Sequence, residues 1–310
     1  MNFDISVLIV QLIKLFIILC IGYISYKCGI IDKNFNQKCS KLLITVTMPF
    51  MILSSVLKLT ERPSAFILFT VFAASIALYT IVPLISYIIV LITKTPKHLR
   101  GVYTFMYTYS NVGFMGFPIL DAVFGPTAVF YAGIVNIIFN LTCYSYGIIM
   151  INKGTDVKTK IDFKTMVSPG MLCSYLAIIL FAFNIKFLAP VTDTISTLGD
   201  ITPTLSMLII GSTLATIDLK DIFSDMRVYL FAIIKQIIVP LLCVPICRLL
   251  IKDELVYGVI LIMILMPVAN SAVLFTTTYE HDEKTAAKCV FITTLMSLFT
   301  IPIMMMLFFQ

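Results

Sequence analysis

Apolar residues run along this chain in long blocks separated by short polar connections, and that rhythm predicts ten helices. The blocks fall at 5–26, 37–57, 64–92, 102–123, 127–151, 167–185, 191–217, 228–251, 255–278 and 286–309. Each is near the ~20 residues that cross a bilayer core, and the third is long enough to tilt. The longest polar connection, KGTDVKTKIDFKT at 153–165, is too short to fold as a domain. The first block follows Asp4 with no basic leader, so it reads as a span and not as a cleavable signal. The predicted architecture is an all-α polytopic membrane protein. It has a first five-helix half at 1–152, a cytoplasmic loop at 153–165 and a second half at 166–310.

Composition agrees with the pattern. The chain is 60% hydrophobic and 12% charged, where a soluble domain carries about 25% charged residues. The net charge of +6 resides in short loops and does not point to nucleic acid. Loops after the odd-numbered spans, with the span ends beside them, hold fifteen of the twenty-two Lys and Arg residues, and the opposite loops and span ends hold five. That bias places the odd-numbered loops in the cytoplasm and both termini outside it. The eight cysteines form no CxxC pair, and Cys243 and Cys247 have no His or carboxylate beside them. They read as small apolar residues, with no metal or other cofactor implied. The sequence contains no Walker loop, HExxH or GxSxG, and both His98 and His281 sit in predicted cytoplasmic loops. ATP-driven transport within this chain and the common hydrolases are therefore disfavoured.

The fourth block, VYTFMYTYSNVGFMGFPILDAV at 102–123, is apolar yet carries Asn111, Gly113, Gly116 and Pro118. Pro118 has no N–H, and its ring clashes with the carbonyl four residues earlier. The glycines weaken the helix further. A membrane helix broken in this way must face protein or a polar cavity, as transport sites do. A proline kink in a packing helix is the alternative.

The chain also repeats itself. TVTMPFMILSSVL around Pro49 pairs with DITPTLSMLIIGSTL around Pro203, and Pro83 pairs with Pro240. NVGFMGFP pairs with MPVANSAVLF at 266–275, so Pro118 and Pro267 each interrupt the fourth span of a half. Five spans per half is an odd number, so the second copy is expected upside down. Inverted repeats with matching broken helices point to a secondary-transporter site.

NVGFMGFPIL, followed by GPTAVFYAGIVNIIFNLTCYSYG at 125–147, resembles the auxin efflux carrier family, which includes plant PIN proteins and bacterial malate or malonate permeases. The C-terminal PVANSAVLFTTTYEHDEKTAAKCVFITTLMSLFTIPIM resembles that family's last two spans. The short 153–165 loop is like the prokaryotic branch. The resemblance implies a bile-acid-symporter-like fold in which spans four and nine cross at their broken midpoints. It also implies elevator-type movement, small carboxylate substrates such as auxin-like monocarboxylates or malate-like dicarboxylates, and a homodimer in the plasma membrane.

At such a crossing, half-helix N-termini can receive a carboxylate without an arginine. Asn111 and Asn270 add amide groups. Ser110, Ser271, Asn136 and Asn140 are neighbours in the expected site, although Asn136 and Asn140 could equally join helices. Gly113, Gly116, Pro118 and Pro267 would shape its backbone. Lys14 and Lys235 lie within spans, where a charge is costly and often functional, but lysine can also snorkel to an interface. The reading is an efflux carrier of small organic anions. Sodium- or proton-coupled symport and a non-transporting receptor remain alternatives, with the coupling ion open.

Overall fold

The computed structural model describes residues 5–59, 62–152, 169–216, 226–279 and 281–309. The expected 153–165 loop lies outside them. Every regular element among the described residues is helical, apart from one isolated β-bridge. In chain order the α-helices are α1 (Ile5–Lys27), α2 (Lys33–Leu42), α3 (Met48–Leu57), α4 (Ala65–Ile92), α5 (Lys97–Thr108), α6 (Phe117–Phe124), α7 (Pro126–Thr142) and α8 (Ile148–Ile151). They continue with α9 (Pro169–Ala182), α10 (Ala189–Asp200), α11 (Thr202–Leu214), α12 (Met226–Ile233), α13 (Val239–Leu250), α14 (Glu254–Leu265), α15 (Ser271–Thr278) and α16 (Glu283–Phe308). Aspartates start three of them. Asp32, Asp253 and Asp282 accept hydrogen bonds from the N–H groups of Phe35, Val256 and Thr285, which satisfies donors that a helix leaves open.

Each predicted block contains helix. Six stretches are long and apolar enough to cross a membrane in one piece: Ile9–Lys27, Lys33–Leu57, Ala65–Ile92, Pro126–Ile151, Met226–Leu250 and Glu283–Phe308. The other four blocks hold shorter helices. α4 exposes Phe66, Phe69, Leu84 and Ile92, an apolar surface suited to lipid.

Four short π-helical turns interrupt the ladder, at Leu43–Thr47, Val112–Gly116, Cys143–Gly147 and Ile234–Ile238. Three of them run into an α-helix whose second residue is proline: Pro49, Pro118 and Pro240. The widened ladder is explicit where Met48 N–H reaches Leu43 O and Val239 N–H reaches Ile234 O, five residues back. A proline cannot donate, and its ring crowds the carbonyl four residues earlier. A wider turn moves that carbonyl aside. Pro83, Pro245 and Pro302 lie inside α-helix without such a turn, so proline permits the widening without compelling it.

The described chain forms two compact units, and each draws on both halves of the sequence. The described residues of the first are 5–59, 62–72, 113–137 and 169–216. In it α1 and α11 touch backbone to backbone: a Cβ at Gly22 would collide with Leu208 O, and one at Gly211 with Leu19 O. Gly199 packs against the Met51 backbone, 2.8 Å from where a Cβ would stand. Small residues allow this approach, which drives helix association in lipid. Polar side chains add links. Asn36 Nδ2 donates to Thr213 Oγ1 at 2.9 Å, Ser212 Oγ donates to Asn36 Oδ1 at 2.8 Å, and Lys58 pairs with Asp200 at 3.0 Å.

The described residues of the second unit are 73–112, 138–152, 226–279 and 281–309. Its α5 and α8 meet where Gly101 abuts Met150 O. Gln236 ties the π turn 234–238 to α16, with Nε2 donating to Thr293 O at 3.2 Å and Oε1 accepting from Thr300 Oγ1 at 3.0 Å. Both side-chain ends of this fully buried glutamine are thus satisfied, as a group out of water must be.

Candidate functional site

Two helix interruptions face each other in the second unit. α5 stops at Thr108, and the chain is non-helical through Tyr109–Asn111, with Tyr109 extended. α14 stops at Leu265, and the chain is non-helical through 266–270. The two segments run antiparallel, with Ser110 opposite Val268 in the isolated bridge. Asn111 N–H donates to Pro267 O at 2.7 Å, and Ala269 N–H donates to Tyr109 O at 3.1 Å. Val268 N–H donates to Thr293 Oγ1 at 3.2 Å. Backbone groups released by each break are therefore taken up by the other break and by α16, which is how buried backbone is kept satisfied.

The fourth block breaks at Tyr109–Asn111, ahead of Gly113, Gly116 and Pro118 and not at the proline. Pro118 is a buried second residue of α6, where the preceding π turn accommodates it. In the ninth block the break does contain Pro267.

A charged group sits at this junction. Lys235 is 1% exposed. Its Nζ donates to Tyr107 O at 2.9 Å and to Ser110 Oγ at 2.8 Å. Tyr107 O belongs to the last turn of α5, where unpaired carbonyls carry a partial negative charge that favours a cation. Neither ion pair found among the described residues, Lys58–Asp200 and Arg248–Glu254, involves Lys235. Burial and this contact decide between the two lysines of the apolar blocks: Lys14 is exposed on α1, whereas Lys235 reaches the break. The signals for it in the sequence were a charge in an apolar block and Pro240 shortly after it. The oxygens it meets belong to a distant segment.

Aromatic rings wall the junction. Tyr107 stacks on Phe231 with centroids 4.4 Å apart, and Phe231 lies one turn before Lys235. Tyr109 stacks on Tyr79 at 5.9 Å and meets Phe139 edge-on at 5.6 Å. Gly147 leaves room for Phe105 and Tyr109, since a Cβ there would lie 3.0 and 3.1 Å from their rings. Such contacts fix the ring positions and hold the non-helical segment in place.

The remaining predicted residues divide between the units. In the second, Asn111 is buried beside the bridge, and Asn270 ends the break, its carbonyl accepting from Val273 and Leu274 N–H. Ser271 opens α15 with its hydroxyl toward the Cys143 thiol, and Asn140 is buried in α7. In the first unit, Gly113 lies in its π turn with Met48 Sδ 3.3 Å from where a Cβ would stand, and Gly116 ends that turn. Asn136 is buried in α7, its Nδ2 3.7 Å from the position a Cβ would take on Gly170. His281, expected to be solvated, is instead half-buried, with Nε2 2.8 Å from Asn152 Oδ1.

Discontinuous helices of this kind form the substrate and ion sites of many carriers. Sequence comparison agrees. A protein of Methanocaldococcus jannaschii named as an uncharacterized transporter, MJ1031, is 24% identical over 310 residues, covering 94% of this chain and 96% of its own length. The sequence model of a family described as membrane transport protein matches residues 7–305. The chain is therefore an integral membrane protein and belongs to the membrane transport protein family.

Proposed function

We propose that this protein is a secondary carrier of small organic anions, mono- or dicarboxylates, built as ten spans in two inverted five-helix repeats. The pairing of two helix breaks, with Lys235 held at them, is the observation that carries the reading. Asn111 and Asn270 supply amides of the type that hold a carboxylate, and the start of α15 adds the partial positive charge of a helix N-terminus. Ser271 and Pro267, in the same unit, complete the proposed site, whereas Asn136 and the Gly113–Gly116–Pro118 run belong to the first unit. The resemblance to auxin efflux and malate-type carriers supports the anion class and elevator-type movement. It also supports a homodimer in the plasma membrane, and the loop charges support extracytoplasmic termini. An inside-negative potential favours anion exit by about 2.3 kcal/mol per 100 mV, which fits export.

The test is counterflow in proteoliposomes loaded with unlabelled malate, malonate or indole-3-acetate. Saturable accumulation of the labelled acid is expected for at least one of them. Tight binding without any flux would instead make the protein a receptor.

A further inference from the structure

Lys235 meets oxygens of the kind that hold a free alkali cation. The carbonyl at the end of a broken half-helix and a neighbouring hydroxyl are hard oxygen ligands, and unwound carbonyls of this type coordinate sodium in carriers with broken helices. Here both oxygens, Tyr107 O and Ser110 Oγ, point at one ammonium. No carboxylate neutralises it among the described residues. A buried charge without a counter-ion is costly unless oriented dipoles replace its water. The α5 C-terminus supplies such dipoles.

We infer that this is a monovalent-cation site filled by the protein's own Lys235 ammonium, so that transport requires no sodium, and that removing the lysine side chain lets sodium in. This rests on reading the paired breaks as the transport site. A free ion must be captured from solution, whereas the tethered one is always present. In Lys235→Ala the two oxygens remain, and water entering the volume left by the lysine stem completes the shell of a small cation. In Lys235→Met that volume stays filled while the charge is lost.

The experiment compares melting temperatures of purified wild type, Lys235→Ala, Lys235→Gln, Lys235→Met and Lys235→Ala/Ser110→Ala in sodium chloride and in choline chloride at equal ionic strength. Sodium should raise the melting point of Lys235→Ala by about 2–4 °C, because a ligand of the folded state stabilises it. Wild type, Lys235→Met and the double variant should not respond. Recovery of folded Lys235→Ala only from sodium-containing medium counts as the same result. A sodium-specific rise in wild type overturns the inference. So does a lack of sodium response, or of folded protein in sodium, for both Lys235→Ala and Lys235→Gln. Carboxylate flux is measured separately on wild type. A sodium response without any wild-type flux would reject the transport-site reading and leave the cation site standing. Sodium-independent flux with no sodium response in the variants would do the opposite.

Discussion

Ser110 and Val268, from two interrupted helices, face each other as the one isolated β-bridge among the described residues. A bridge this short is weak alone, since two strands need further packing to persist in water. It is held by what surrounds it. Asn111 N–H and Tyr109 O bond to Pro267 and Ala269 on either side, and Val268 N–H is met by Thr293 of α16.

Thr293→Val should therefore destabilise the protein. The valine has nearly the same shape, but it leaves Val268 N–H buried without an acceptor, a loss of about 1–3 kcal/mol. The melting temperature should fall by about 2–8 °C, while Thr293→Ser, which retains the hydroxyl, should stay close to wild type. Thermal unfolding of the two purified variants checks this, and equal melting points would remove Thr293 as the acceptor that matters.

Pro240→Ala should impair transport. Alanine restores the missing N–H and is the better helix former by roughly 3 kcal/mol, so the turn at 234–238 can tighten to α-helix. Dropping the extra residue of that turn rotates the side chains before it by about 100° relative to α13, which takes Lys235 away from Tyr107 O and Ser110. Flux should drop about tenfold or more. Pro245→Ala, in the same helix but with no π turn before it, should keep flux within about twofold. Equal flux in the two variants would show that the turn does not position the lysine.

Gly211→Ala should be among the most damaging small substitutions in the first unit. Its methyl would fall on the Leu19 backbone, and backbone cannot step aside as a side chain can. Overpacking of this sort costs about 1–3 kcal/mol, or about 2–8 °C in melting temperature. Gly113→Ala meets only Met48 Sδ, the flexible part of an adaptable side chain. It should shift the melting point by less than about 2 °C.

His281 should make stability fall in mild acid. Partial burial lowers its pKa below the ordinary histidine value, so the neutral form is favoured in the folded protein. Stability is then complete above the unfolded value of about 6.5 and declines as pH drops toward the folded one. Melting curves between about pH 7.5 and pH 5.5 should show the decline, and His281→Gln should flatten it, because glutamine keeps a donor for Asn152 Oδ1 and takes up no proton. An unchanged slope in that variant would assign the acid response to other groups.

The positions of the helices were legible in the sequence because apolar block length and polar connections record the cost of exposing backbone to lipid. The exact break was not. Local propensity pointed to Gly113, Gly116 and Pro118, which weaken a helix by themselves. Yet the helix opens at Tyr109–Asn111, because Ala269 and Pro267 offer it backbone partners that no local rule contains. Asn111 could be placed beside the break from sequence because it adjoins the same run. Lys235 was visible as a costly charge, but the carbonyl and hydroxyl that hold it lie far away along the chain, where residue spacing carries no information.

The π turns bear on how relatives of this chain should be aligned. A π turn holds one residue more than the α-turn it replaces, so it acts as a single-residue insertion whose effect on face phase extends to the end of the helix. A relative with plain α-helix in place of one of these turns is one residue shorter there. Aligned without a gap, its inward residues would be matched to lipid-facing ones along the whole preceding or following half of the helix. A one-residue gap at the turn restores the match of faces.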